Sequence, residues 1–223
     1  MPAPTFVADH AAKWPRSGRI VFQVTRGEGG LIVGQSEHRW QHDGASYEIT
    51  ALTETVGLAA LFHPAQVTQQ SRGSFDAYGL RPLAFEARRA DKIKDRISFD
   101  PASQQVLLGS GKLAELIPGA QDLLSVFYQL AAVPPEVEGF DLAIAQGRRI
   151  MVYKVALVAV GKLATPLGER DVRHYRISAG AKEDSTEVWL DAQLRLPLKI
   201  RHRDRKGELF DQMVTQLEVK EIS

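Results

Sequence analysis

Apolar and polar residues alternate with a period of two along most of the chain, the pattern of strands with one buried face. In "GRIVFQVTR" (18–26) Ile20, Phe22 and Val24 share one face. After a "GEGG" turn, "LIVGQSEHRWQ" (31–41) puts Ile32, Gly34, Ser36, His38 and Trp40 on a common face. Asp43-Gly44 predicts a tight hairpin, because glycine accepts the positive φ of a primed turn. The next strand, "SYEITALTETV" (46–56), turns Tyr47, Ile49 and Ala51 one way and Glu48, Thr50 and Glu54 the other. The pattern resumes in "QVTQQSRGSF", "RPLAFEARR", "IKDRISFD" and "QQVLL". Beyond residue 139 it returns in "FDLAIAQ", "RIMVYKVALVAV", "ERDVRHYRIS", "STEVWLDA", "LPLKIRHR" and "ELFDQMVTQLEV".

One stretch breaks the alternation. In "IPGAQDLLSVFYQL" (117–130), Leu123, Leu124, Phe127, Tyr128 and Leu130 recur at spacings of three and four, which predicts a helix over 120–131. Pro118 and Gly119 punctuate its start, Pro134-Pro135 stop it, and Asp122 sits in the first turn, where the helix dipole favours an acid. Strands joined by short turns pair antiparallel, and a sheet of about a dozen of them curls. The fold expected is therefore mainly β: a single curled antiparallel meander sheet, barrel or half-barrel, with one central helix on its concave face. Residues 1–15 are expected to form a flexible N-terminal segment and 16–223 a single β-rich domain.

Composition narrows the functional classes. The 28 Lys and Arg against 27 Asp and Glu leave no long-range field to attract nucleic acid or an anionic membrane. The basic run Arg201 to Lys206 reads as a solvated hairpin tip at Lys206-Gly207. With no cysteine there is no thiolate catalysis, disulfide or Cys-based zinc site. His38 and His42 lie four apart on one strand, about 13 Å from each other, too far to share a metal. "GSGK" (109–112) lacks the spacing of a phosphate-binding loop, and no serine sits in a strand-to-helix elbow. No cofactor, metal or catalytic residue is assigned. No apolar run reaches the roughly 20 residues of a membrane-spanning helix, and "MPAPTFVADH" has neither the basic start nor the apolar core of a signal peptide.

"GSFDAYGLRPLAFEARR", "IPGAQDLLSVFYQL", "TPLGERDVRHYRI" and "TEVWLDAQLRLPLKIRHRDRKGE" together resemble domain-of-unknown-function family 3108. The shared features are a Gly-Leu-x-Pro turn, a Gln-Asp-Leu-Leu-Ser helix, a Pro-x-Gly turn and a Trp-Leu…Leu-Pro strand pair. The resemblance covers most of the chain and implies a bacterial, exported, periplasmic or cell-envelope protein whose signal peptide has been removed. It carries over no catalytic residue.

The leading functional expectation is a non-enzymatic binding or carrier protein for an apolar or amphipathic, lipid-like envelope molecule. Asp122, Ser125 and Tyr128 on the helix, with Trp40, Tyr47 and Trp189 on the sheet, are the candidate ligand-binding residues. Aromatic walls would offer apolar area, and a lone acid would hold one polar group. An envelope scaffold or interaction module is the first alternative. A glycan-acting hydrolase is the second; it would need paired carboxylates, for which Glu48, Glu54, Asp122 and Glu187 are the candidates.

Overall fold

The computed structural model of the chain describes residues 6–8, 14–57, 60, 65–180 and 184–220. Among these, fourteen strands form one antiparallel sheet. The first eight are β1 (Ser17–Arg26), β2 (Leu31–His42), β3 (Ser46–Thr55), β4 (Gln66–Asp76), β5 (Gly79–Arg89), β6 (Lys92–Asp100), β7 (Gln105–Leu107) and β8 (Leu113–Glu115). The last six are β9 (Gly139–Gln146), β10 (Arg149–Thr165), β11 (Gly168–Ser178), β12 (Ser185–Asp191), β13 (Pro197–Arg203) and β14 (Leu209–Lys220).

Consecutive strands pair at every junction but one, and one further pair is non-sequential. β1 pairs with β14, Ser17 opposite Lys220, and β8 does not pair with β9. The sheet is thus two meanders joined through their first and last strands, and it curls without closing.

Alternation fixes which residues face inward. Ser36, His38 and Trp40 of β2 and Tyr47, Ile49 and Ala51 of β3 are all buried, as their period-two spacing predicts. The expected segment 1–15 contains Phe6, Ala8 and Trp14, which are also buried. Phe6 packs edge-on against Phe140, and Trp14 stacks on His42.

The helix is shorter than its periodicity predicts. Helix α1 covers Ser125–Gln129 and continues as one 3-10 turn, Leu130–Ala132; residues 117–124 are not helical. The competing interaction is tertiary. Gln121 is drawn out as a single parallel bridge to Ile144, donating its backbone N–H to Ala143 O at 2.9 Å and accepting from Ala145 N at 2.8 Å. A backbone engaged by a neighbouring strand cannot also serve a helical turn. Nor is α1 one-sided. Leu124 and Tyr128 enter one apolar cluster with Phe22, Trp40 and Phe85, while Val126 and Leu130 enter a second with Leu142, Val155 and Val188. Leu123 and Phe127, half-buried, pack against both clusters.

Candidate functional site

Five of the six candidate residues meet beneath α1. Asp122 is completely buried in the turn that leads into the helix, where its Oδ1 accepts the backbone N–H of Leu124 and of Ser125, each at 2.8 Å. Its Oδ2 accepts the Ser71 hydroxyl at 2.6 Å, and Ser125 Oγ in turn accepts the Asp122 N–H at 3.0 Å. The Tyr47 hydroxyl lies 3.2 Å from Ser71 Oγ. Burial pushes the Asp122 carboxyl above the usual range despite these hydrogen bonds. Burial, then the nearby Asp122, pushes the Tyr47 phenol well up.

Tyr128 anchors the adjoining aromatic group. Its ring lies 5.8 Å from Trp14 and 6.2 Å from Trp40, and its hydroxyl is 3.0 Å from His38 Nδ1. Trp40 Nε1 donates to Pro15 O at 2.8 Å. Burial alone lowers the His38 pKa to about 4, so the imidazole is neutral at pH 7. Trp189 is elsewhere. It alternates with buried Val188 on β12, stacks on His174 at 4.0 Å and lies under Lys199 at 4.9 Å.

The carboxylates considered for hydrolysis do not converge. Glu48 accepts from Gln41 and Gln70, and Glu54 from Gln66. Glu187 holds His174 and Arg176, and both Asp122 oxygens are engaged below α1. The Asp122 network is a buried set of hydrogen bonds that positions the helix, and Tyr47 also borders a surface cleft with Gln41, His42 and Arg72.

Two glutamines carry much of that positioning: Gln121, which opens the Gln-Asp-Leu-Leu-Ser motif, and Gln129, which no motif marks. Gln129 Oε1 accepts the Leu80 N–H at 2.8 Å, and Gln121 Nε2 donates to Leu80 O at 2.7 Å. Both main-chain polar groups of Leu80, in the Gly-Leu-x-Pro turn, are therefore held from the helix segment. Gly79 must be glycine for this. Its φ is +114, and a Cβ there would stand 2.6 Å from Gln129 Oε1.

Open space adjoins the seam where β8 and β9 fail to pair. Besides the Gln121 bridge, the seam is latched at Gly147, whose N–H donates to Asp95 Oδ2 at 2.9 Å and whose carbonyl accepts from Ser110 N at 2.8 Å. Asp95 Oδ1 is buried against Gly109 with no hydrogen-bond partner among the described residues. A cleft of about 350 Å³ runs between β8 and the β9–β10 turn, with Leu108, Leu113, Ala114, Ile117, Pro118 and Ile150 as apolar lining and Lys112, Glu115, Arg148 and Arg149 as polar lining. A second cleft, of about 250 Å³, opens where the 3-10 turn leaves the helix, among Leu130, Val133, Val160, Leu190, Arg173 and Arg195.

A family model, described as protein of unknown function DUF3108, matches residues 21–215. The chain belongs to the DUF3108 family. This DUF3108 chain matches no curated protein. Among solved structures it is similar to the β-barrel-like DUF1849 protein of Brucella abortus, with a TM-score of 0.59 at 12% identity over 94% of this chain and 100% of that one. It is less similar to a candidate lipoprotein of Parabacteroides distasonis (TM-score 0.42, 9% identity, 95% of this chain and 99% of that one). A candidate exported protein with a YmcC-like fold from Bacteroides fragilis gives a TM-score of 0.39 at 12% identity, over 95% and 98%. The DUF1849 likeness places the DUF3108 chain in a barrel-like fold.

Proposed function

We propose that this DUF3108 protein binds or carries an apolar or amphipathic small molecule outside the cytoplasm, and that the ligand enters at the open seam rather than at Asp122. The observation that carries the reading is the unpaired β8–β9 junction with its apolar cleft. A curled sheet that stays open leaves one line without a strand ladder, and among the described residues that line is spanned by four hydrogen bonds, two at Gln121 and two at Gly147. Such a junction separates at far lower cost than a continuous strand ladder. The cleft of about 350 Å³ is itself within the usual range for small-molecule sites. The exported location is supported by the family resemblance; among the described residues no helix is long and apolar enough to cross a membrane. Native mass spectrometry of freshly purified protein, with displacement of a hydrophobic fluorescent probe, tests the reading. Co-purifying amphiphile and saturable probe binding are expected; the absence of saturable binding overturns it.

A second reading, an interaction module, draws on β10. β9 begins at Gly139, opposite Ala156, and Leu157 N–H still donates to Glu138 O; from Val158 to Thr165 β10 is paired only with β11. Val158 and Val160 are exposed there, and an open strand edge is a template for strand addition. Sedimentation of the wild type against Val160→Lys tests it, with association lost in the variant.

A further inference from the structure

The seam cleft has a polar neighbour. A notch of about 510 Å³, lined by Lys94, Asp95, Gly109, Ser110 and Gly147, shares Lys112 and Arg148 with the apolar cleft. We infer that the two together take an amphiphile with an anionic headgroup, phosphate or carboxylate, whose head rests on Lys94, Lys112 and Arg148 and whose chain starts along Leu108, Ile117 and Ile150. The inference rests on the carrier reading and adds the chemistry of the head.

Charge balance is the first support. Some exposed cations elsewhere on the sheet meet acids, Arg26 with Glu208, Arg96 with Glu86, Lys162 with Glu169 and Arg176 with Glu187, while others, Arg72, Arg89 and Lys220 among them, stand singly on open strand surface. What sets the seam apart is that its cations are gathered around one recess. Lys94, Lys112, Arg148 and Arg149 make no side-chain hydrogen bond or ion pair among the described residues. Around the joined clefts these four cations face two carboxylates, Asp95 and Glu115. Hydrogen bonding does not cancel the charge of Asp95, which has one oxygen on Gly147 N–H and the other without a hydrogen-bond partner among the described residues. Four cations against two carboxylates still leave an excess of positive charge in the recess. A recess walled by protein strengthens attraction for an anion over that at a flat surface.

The second support is arrangement. Lys94 enters from β6, Lys112 from the turn before β8, and Arg148 from the turn between β9 and β10, so the cations surround the notch from both sides of the seam. Arg148 can offer two parallel N–H donors to a phosphate or carboxylate. The apolar residues begin at the same two shared side chains, so one molecule can satisfy both regions.

Calorimetric titration of the full chain with three probes tests the inference: monomeric dihexanoyl phosphatidic acid, dihexanoylglycerol with the same chains and no charge, and inorganic phosphate. Phosphatidic acid is expected to bind about tenfold more tightly than dihexanoylglycerol, with the margin shrinking as salt rises. In Lys112→Gln/Arg148→Gln the two lipids should converge to within about twofold, whereas Lys112→Arg should keep the margin. Circular dichroism confirms that the variants fold. Equal affinity for the two lipids in the wild type, or an unchanged margin in the double variant, overturns the anionic head while leaving the carrier reading intact. Inorganic phosphate binding as tightly as phosphatidic acid also overturns it, by assigning the notch to a free anion. Failure of both lipids to bind overturns the carrier reading itself.

Discussion

The Tyr128 hydroxyl meets Nδ1 of His38 at 3.0 Å with both side chains shut away from solvent. The folded protein holds this imidazole neutral, with a pKa of about 4, whereas an unfolded histidine titrates near 6.5. Protons therefore bind the unfolded chain preferentially between these values, and stability falls as pH drops from about 6.5 to about 4, by up to about 3 kcal/mol. The raised Asp122 carboxyl acts in the opposite sense, its contribution being lost as pH rises above the unfolded carboxylate range. Denaturant unfolding across this window should give a shallower pH slope in His38→Asn than in wild type, although the variant is less stable at every pH. Equal slopes would assign the acid sensitivity to other groups.

Asp122→Ala strands two backbone N–H groups and the Ser71 hydroxyl in the core. A loss of about 2 to 4 kcal/mol in urea unfolding is expected. Asp122→Asn keeps an acceptor at Oδ1 and should cost less. Because Asp122 is wholly enclosed, the Asn variant should bind a hydrophobic probe as wild type does; weakened binding in a folded variant would return this residue to the ligand site.

Gly79→Ala forces a Cβ to within 2.7 Å of Ala132 Cβ as well as onto the Gln129 amide, at a φ that side chains rarely adopt. The combined strain should exceed about 2 kcal/mol and lower the melting temperature by about 5 °C or more. A melting temperature within a degree of wild type would mean that the contact between the Leu80 turn and Gln129 relaxes freely.

Trp189→Ala should leave probe binding unchanged, since this ring stacks on His174 and lines neither the seam cleft nor the notch beside it. Its loss removes an aromatic stack and the Lys199 contact, worth about 1 to 3 kcal/mol of stability in thermal unfolding. A selective loss of binding at unchanged stability would place the ligand on that face.

Period-two alternation carried the strands because one face of each is buried and one is not; the inward set Ser36, His38 and Trp40 was legible for that reason. The helix was legible in place but not in length. Leu123, Leu124, Phe127 and Tyr128 keep helical spacing, while the bridge that extends Gln121 comes from Ala143 and Ala145, more than twenty residues away. β8, three residues long, is too short to show a period. The run in β10 is apolar on both faces, and its sequence does not show that it outruns β9 and leaves Val160 exposed. The seam cations were hidden for a different reason. Lys94, Lys112 and Arg148 each sit in or beside an ordinary polar turn, and only the curl of the sheet assembles them.

The ladder between β1 and β14 has a mechanical consequence. It is the link between the two meanders within the sheet, and its strands run antiparallel with Ser17 facing Lys220. Tension applied at those two residues therefore pulls on the same end of the ladder, loading its hydrogen bonds one after another rather than all together. The sheet would part like a zip at low force, releasing two flaps that each retain their local hairpins.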